Sequence, residues 1–111
     1  MPRLVSPLRR FRVKDRSMEP TLCEGDQVIA SPLPYLLGRP SVGDLVVLRH
    51  PSENRFLVKR ISRVNGSQIS IKGDSRRHST DSRDFGPVSP DHIVGKVVLR
   101  LEGSEGALTP S

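Results

Sequence analysis

Three stretches of this 111-residue chain place nucleophilic, basic and acidic side chains where they bear on chemistry. The first is Ser17-Met18-Glu19-Pro20-Thr21-Leu22, a serine at the head of a proline-limited turn. A serine hydroxyl is a weak nucleophile until a base takes its proton. Taken alone, Ser17 reads as a turn or capping serine. The second stretch is Leu57-Val58-Lys59-Arg60-Ile61. Strand side chains alternate, so Leu57, Lys59 and Ile61 share one face and Val58 and Arg60 the other. A lysine among apolar neighbours loses the solvation that favours its charged form, and its pKa falls. A neutral amine can accept a proton near pH 7, which arginine cannot do. The bland alternative is a lysine whose stem packs while its head reaches water. The third stretch, residues 73–86, is dense in hydroxyls and charges. Asp81 and Arg83 can form a bidentate pair that pins this loop. A pinned loop can hold the Ser79 hydroxyl against a buried amine.

The other reactive residues are less persuasive. His50, His78 and His92 read as exposed loop residues. Together with Cys23 they show no ligand spacing, so no metal and no cofactor are expected. Cys23 is the only cysteine, which rules out a disulfide within the chain. One thiol fits a reducing compartment.

The elements that must position these residues are short. Val28-Ile29, Leu45–Leu48, Phe56–Ile61, Val64, Gln68–Lys72 and Ile93–Leu99 are apolar runs punctuated by turn residues. Asn65-Gly66 between two of them is a hairpin signal. None of the runs is long enough for a convincing helix. An all-β fold follows, a single antiparallel and partly barrel-like domain. Its expected extent is 13–101, with a basic flexible N-terminus at 1–12 and a flexible tail at 102–111. Residues 31–41 read as a loop with an apolar middle. Gly-Asp recurs at 25–26, 43–44 and 73–74, read as turns leading into the next element.

Composition limits the partners. With 34% hydrophobic and 27% charged residues, the chain suits a soluble globular domain. Aromatic residues are only 4%, so the core rests on Val, Leu and Ile. A net charge of +6 favours anionic partners. Nucleic acid is disfavoured, because the basic residues read as having no aromatic residues interleaved with them to form a stacking platform. Leu33, Tyr35, Leu36 and Leu37 either cover one end of the barrel or, with the basic N-terminus, make peripheral contact with an anionic membrane or touch substrate. No apolar run approaches the ~20 residues that span a bilayer. The expected location is cytoplasmic or peripheral at a membrane.

These boxes, in this order, resemble the signal peptidase I family of Ser/Lys endopeptidases. Ser17–Asp26 is similar to its Ser-Met-x-Pro-Thr-Leu nucleophile box, and Val42–Leu48 to its following strand box. Leu57–Ile61 resembles the box that carries the catalytic lysine. Gly73-Asp74 through Val88 resembles the last box, with Ser75 where Asn is usual. The resemblance spans about residues 13–98. It implies Ser17 as nucleophile, Lys59 as general base and Ser79 as the hydroxyl that orients the base. Asp81 and Arg83 match a structural salt bridge near the site, and Met18 falls at a substrate-contacting position. The implied reaction is amide hydrolysis through an acyl-enzyme, with the Ser17 N–H stabilising the oxyanion. The implied partner is a precursor protein bound as an extended strand and cut after small residues. Many members carry a hydroxyl or glycine two residues before the nucleophile. Here Asp15 stands in that place, and an ionised carboxylate cannot donate to an oxyanion. The compact, anchorless pattern is similar to the members that mature nickel-type superoxide dismutase. Two other functions compete: a self-cleaving repressor-type Ser/Lys protease, and a non-enzymatic basic module binding nucleic acid or anionic lipid.

Overall fold

The apolar runs become strands because turn residues cut the chain before any helical period can develop. In the computed structural model, which describes residues 8–75 and 85–101, the strands are β1 (Arg9–Arg12), β2 (Gln27–Ser31), β3 (Leu45–Arg49), β4 (Phe56–Asn65), β5 (Gln68–Lys72) and β6 (Ile93–Leu101). They form one six-stranded sheet in the order β1-β2-β6-β3-β4-β5. Every neighbouring pair is antiparallel. The last strand is thus inserted at the centre, between β2 and β3.

The sheet curls into a half-barrel, and one contact shows how far. Phe11 on β1 and Phe56 on β4 meet edge to face with ring centroids 5.2 Å apart. Three strands lie between them in the sheet. A flat sheet would hold those strands about 19 Å apart, at ~4.8 Å per step. The all-β, partly barrel-like reading of the sequence therefore holds.

Curling buries both faces of β3. Val46 and Leu48 join Leu57, Ile61, Ile69, Ile71 and Val88 in one core cluster. Val47 points the other way, into a second cluster with Val13, Met18, Leu22, Val28 and Ala30. On β4, Leu57, Lys59 and Ile61 are buried while the residues between them are less so. That is the alternation expected from the sequence.

The first two Gly-Asp pairs make the same turn. Gly25 and Gly43 have φ of 95° and 97°, a region that side chains with a Cβ seldom adopt. The aspartate after each reaches back three residues: Asp26 accepts from the Cys23 N–H at 2.9 Å, and Asp44 from the Ser41 N–H at 3.0 Å. Each turn delivers the chain into a strand, as expected.

Three details differ from the sequence reading. Residues 9–12, grouped with a basic N-terminus, form strand β1 and pair with β2. The 31–41 segment contains a one-turn helix, α1 (Leu33–Leu37). It forms because the Tyr35 side chain anchors it, with its hydroxyl donating to Asp44 at 2.6 Å. Burial, and then that hydrogen bond, push the Tyr35 hydroxyl pKa upward. Leu33 and Leu36 face outward. In the β4–β5 hairpin, Asn65 still pairs with Gln68, so the two turn residues are Gly66 and Ser67. Of the expected termini at 1–12 and 102–111, residues 1–7 and 102–111 lie outside the described residues.

Gly95 marks the tightest approach in the sheet. A Cβ there would sit 2.8 Å from the carbonyl carbon and oxygen of Ser31 and 3.1 Å from Pro32 N. These are backbone atoms, and overpacking of this kind costs about 1–3 kcal/mol. Gly95→Ala is therefore expected to lower the melting temperature by several degrees. An unchanged thermal transition would show that the end of β2 yields freely.

Candidate active site

Ser17 lies in a turn whose side chains and main chain are both fixed. Met18 and Leu22, four residues apart, are buried in the second core cluster, and the Leu22 N–H donates to the Met18 carbonyl at 2.9 Å. Arg16 and Glu19 close the outer side of the turn through an ion pair at 3.0 Å. The main chain of Ser17 is held at both ends. Its N–H donates to Oδ1 of Asp15 at 3.0 Å, and its carbonyl accepts from the Ser75 N–H at 2.8 Å. Ser17 itself is only 2% exposed.

Lys59 is the largest of the fully buried side chains, with 1% exposure. It sits on β4 opposite Val46 of β3, flanked on its own face by Leu57 and Ile61. Its neighbour Arg60 points away and makes a fork on Asp74. Nε donates to Oδ1 at 2.9 Å and Nη2 to Oδ2 at 2.8 Å. Nη1 donates to the Gly43 carbonyl at 2.9 Å. Asp74 also accepts from the Thr21 hydroxyl at 2.5 Å. The turn that carries Ser17, the strand that carries Lys59 and the loop at 73–75 are thereby joined through one carboxylate. The 73–74 Gly-Asp pair differs in this from its two counterparts, which serve local turns.

Sequence reasoning passed over this staple. Thr21, Arg60 and Asp74 each stood within a quoted box, but nothing in linear spacing pairs residues 21, 60 and 74. Met18 is fully buried, yet it also lines a cleft of about 460 Å³. Asp15 and Met18, on either side of Ser17, line that cleft together with Leu57 and Val58, which lead to Lys59. Ser17 and Lys59 thus each adjoin, in sequence, residues that line this cleft, and both are themselves buried. Ser79, Asp81 and Arg83 lie outside the described residues, as does His78.

His50 corrects an expectation. Read as an exposed loop residue, it is buried at 5% exposure, with its ring against Phe85 at a centroid distance of 4.9 Å. Its Nδ1 accepts from the N–H groups of Ser52 and Glu53, each at 3.0 Å. Accepting there assigns the ring proton to Nε2 and gives His50 the role of a turn-capping residue after β3. His92 is half-buried and its Nδ1 lies 3.1 Å from the Ser89 hydroxyl.

The staple has a pH signature. The Arg60 hydrogen bond is the main cause that holds the Asp74 carboxyl below its ordinary pKa, with Thr21 adding to it against the opposing effect of burial. A carboxylate depressed in the folded state contributes stability that is fully present above its unfolded pKa, ~3.9. That stability is lost as pH falls through the folded value. Arg60 is over a third exposed, so solvent screening limits the pair to about 1–2 kcal/mol. Asp74→Asn is expected to lower the melting temperature at pH 7 by roughly 3–8 °C. Its gap from the wild type should close below pH ~4. A gap that stays constant down to strong acid would show that the ion pair is not what joins these segments.

Comparisons with known proteins give the chain a family. The chain matches the family described as signal peptidase, peptidase S26, over residues 4–75 and 71–102. The mitochondrial ATP-independent inner membrane protease subunit 1a of Arabidopsis thaliana is 34% identical over 109 residues, covering 77% of this chain and 65% of that protein. The chloroplastic thylakoidal processing peptidase 1 of the same plant is 25% identical, over 79% of this chain and 40% of its own length. Signal peptidase IB of Staphylococcus aureus is 26% identical, over 82% of this chain and 76% of its own length. The chain thus spans just under two thirds of the first of these relatives. Matched by the family across both of its core clusters and the segments bearing Ser17 and Lys59, it belongs to the signal peptidase family, peptidase S26.

Proposed function

We propose that this chain is a serine endopeptidase with Ser17 as nucleophile and Lys59 as a neutral general base. The observation that carries the reading is Lys59 itself, a lysine 1% exposed on an apolar strand face. Burial disfavours an ammonium and leaves an amine that can take a proton. Lys59 removes the proton of the Ser17 hydroxyl as it attacks the scissile carbonyl. The tetrahedral intermediate collapses to an acyl-enzyme, Lys59 gives its proton to the leaving amine, and then activates the water that releases the acyl group. Ser79 orients the amine, and the Asp81–Arg83 pair secures its loop. Met18 contacts the substrate from the wall of the cleft.

Asp15 adds a step to this scheme. The oxyanion donor in the proposal is the Ser17 N–H, and Asp15 already accepts that hydrogen. The substrate carbonyl must displace the carboxylate before the amide can serve it.

The substrate class is a precursor protein cleaved after small residues to release an N-terminal leader. Support comes from the relatives, which are named as a protease, a processing peptidase and a signal peptidase. In its narrowest form the proposal names a nickel-type superoxide dismutase precursor. Among the described residues no helix is long and apolar enough to cross a membrane. The place of action proposed is the cytoplasm or a membrane surface.

Ser17→Ala is expected to lower cleavage of a peptide with Ala at the first and third positions before the cut by at least about a thousandfold. Lys59→Arg should be as inactive, because a guanidinium does not deprotonate near neutral pH. Lys59→Met should also be inactive yet fold at least as stably, since a buried polar amine is replaced by an apolar group of like volume. Ser79→Ala should be weakened. The wild-type rate should rise with pH as Lys59 loses its proton. Wild-type turnover by a folded Lys59→Arg protein would refute the dyad.

A further inference from the structure

We infer that the cleft beside Ser17 selects a substrate segment rich in Asp and Glu. The inference rests on the peptidase reading above and names the class of substrate that site takes. β1 lies at the edge of the sheet, with β2 as its one neighbour. The cleft runs along β1 and the residues after it, from Arg10 through Asp15, facing Asn54–Val58 of the β3–β4 hairpin. An edge strand offers unpaired N–H and C=O groups to an extended peptide, and wall side chains then set specificity.

The cations decide which peptide. Arg10, Arg12 and Lys14 line the cleft at every second residue and are exposed. Arg16, Arg60, Lys96 and Arg100 each face a carboxylate within 4 Å. Among the described residues, Arg10, Arg12 and Lys14 face none. Arg9 and Arg49 extend the positive rim, lying over the rings of Phe11 and Phe56 at 5.0–5.4 Å. Those aromatic faces are thus occupied by guanidinium groups and are not open to stacking bases. Phe11 stands between Arg10 and Arg12 in sequence, an interleaving that the sequence reading overlooked.

The one carboxylate on the cleft wall is Asp15, and it is bonded to the Ser17 N–H. The potential is therefore negative next to the cut and positive farther along. Alternate residues of an extended chain are about 6.6 Å apart, which matches the alternation of Arg10, Arg12 and Lys14. Acidic side chains roughly three to seven residues from the scissile bond would meet these cations, and arginine forks pair well with carboxylates.

The test uses the full chain and three peptides that share one small-residue cut. Their flanks, three to seven residues from the cut, carry paired Glu, Gln or Lys. At low salt the Glu peptide is expected to be cleaved about tenfold more efficiently than the Lys peptide, with the gap narrowing at high salt. Reversing the charges together (Arg10→Glu, Arg12→Glu and Lys14→Glu) should invert the order. Lys14→Glu alone should shrink the gap and guards against loss of folding in the triple variant. Fluorescence anisotropy with Ser17→Ala protein reads the same preference as binding. It separates the two ideas: a preference that persists there while Ser17→Ala still cleaves removes the nucleophile assignment and keeps this one. The same peptide order in wild-type and charge-reversed proteins would overturn the inference. So would charge reversal that abolishes binding to phosphatidylglycerol vesicles and leaves the peptide order unchanged, which would assign these cations to a membrane.

Discussion

Asp74 holds three segments that the backbone alone would not keep together. Its two oxygens take the Arg60 fork and the Thr21 hydroxyl, while the adjacent Ser75 N–H holds the Ser17 carbonyl. A forked pair fixes direction as well as distance, which a point-charge lysine at position 60 would not do. Ser17 lies in a turn and Lys59 in a long strand, so each has its own local support. Their relative position depends on this carboxylate and on the curl of the sheet. The half-exposed geometry keeps the pair modest in energy. Its consequence is alignment more than stability.

The buried lysine sets a second constraint. An ammonium in an apolar core is costly, and a folded protein relieves that cost by neutralising or pairing the group. The core around Lys59 is assembled from Leu57, Ile61 and the strands on either side, so its burial is a property of the whole sheet. A domain of this size has little stability in reserve. Keeping a lysine in its core, where an apolar residue would pack as well, is explained by the chemistry proposed for it.

The distribution of the remaining charge follows the same division. Asp26, Asp44 and Asp74 are committed to turns and the staple, and each also lies against a cation. The cations along β1 and the segment after it have no such partners among the described residues. Among the described residues, the cations without a carboxylate partner thus include a group at the rim of the cleft.

Much of this was legible in the sequence. Apolar runs between turn residues gave five of the strands, because burial on a curled sheet demands period-two patterning in short segments. The alternation at Leu57, Lys59 and Ile61 foretold a lysine on the apolar face, and the boxes around Ser17 and Lys59 marked both candidates. Other features had no linear signal. β1 looked like a basic tail because Phe11 is its one large apolar residue, and its strand state comes from pairing with β2 and from Phe56 across the curl. α1 looked like a loop because five residues cannot sustain a helix without the Tyr35–Asp44 anchor. His50 looked exposed because Phe85, which covers it, is distant in sequence. Local patterning records which face of a strand is buried, so the sequence by itself determined five of the six strands and marked the two candidate residues. Which distant groups meet depends on how the sheet closes, so only the tertiary structure decided that Asp74 joins Thr21 to Arg60, that Asp15 holds the Ser17 amide, and that Arg10, Arg12, Lys14 and Arg55 line one cleft.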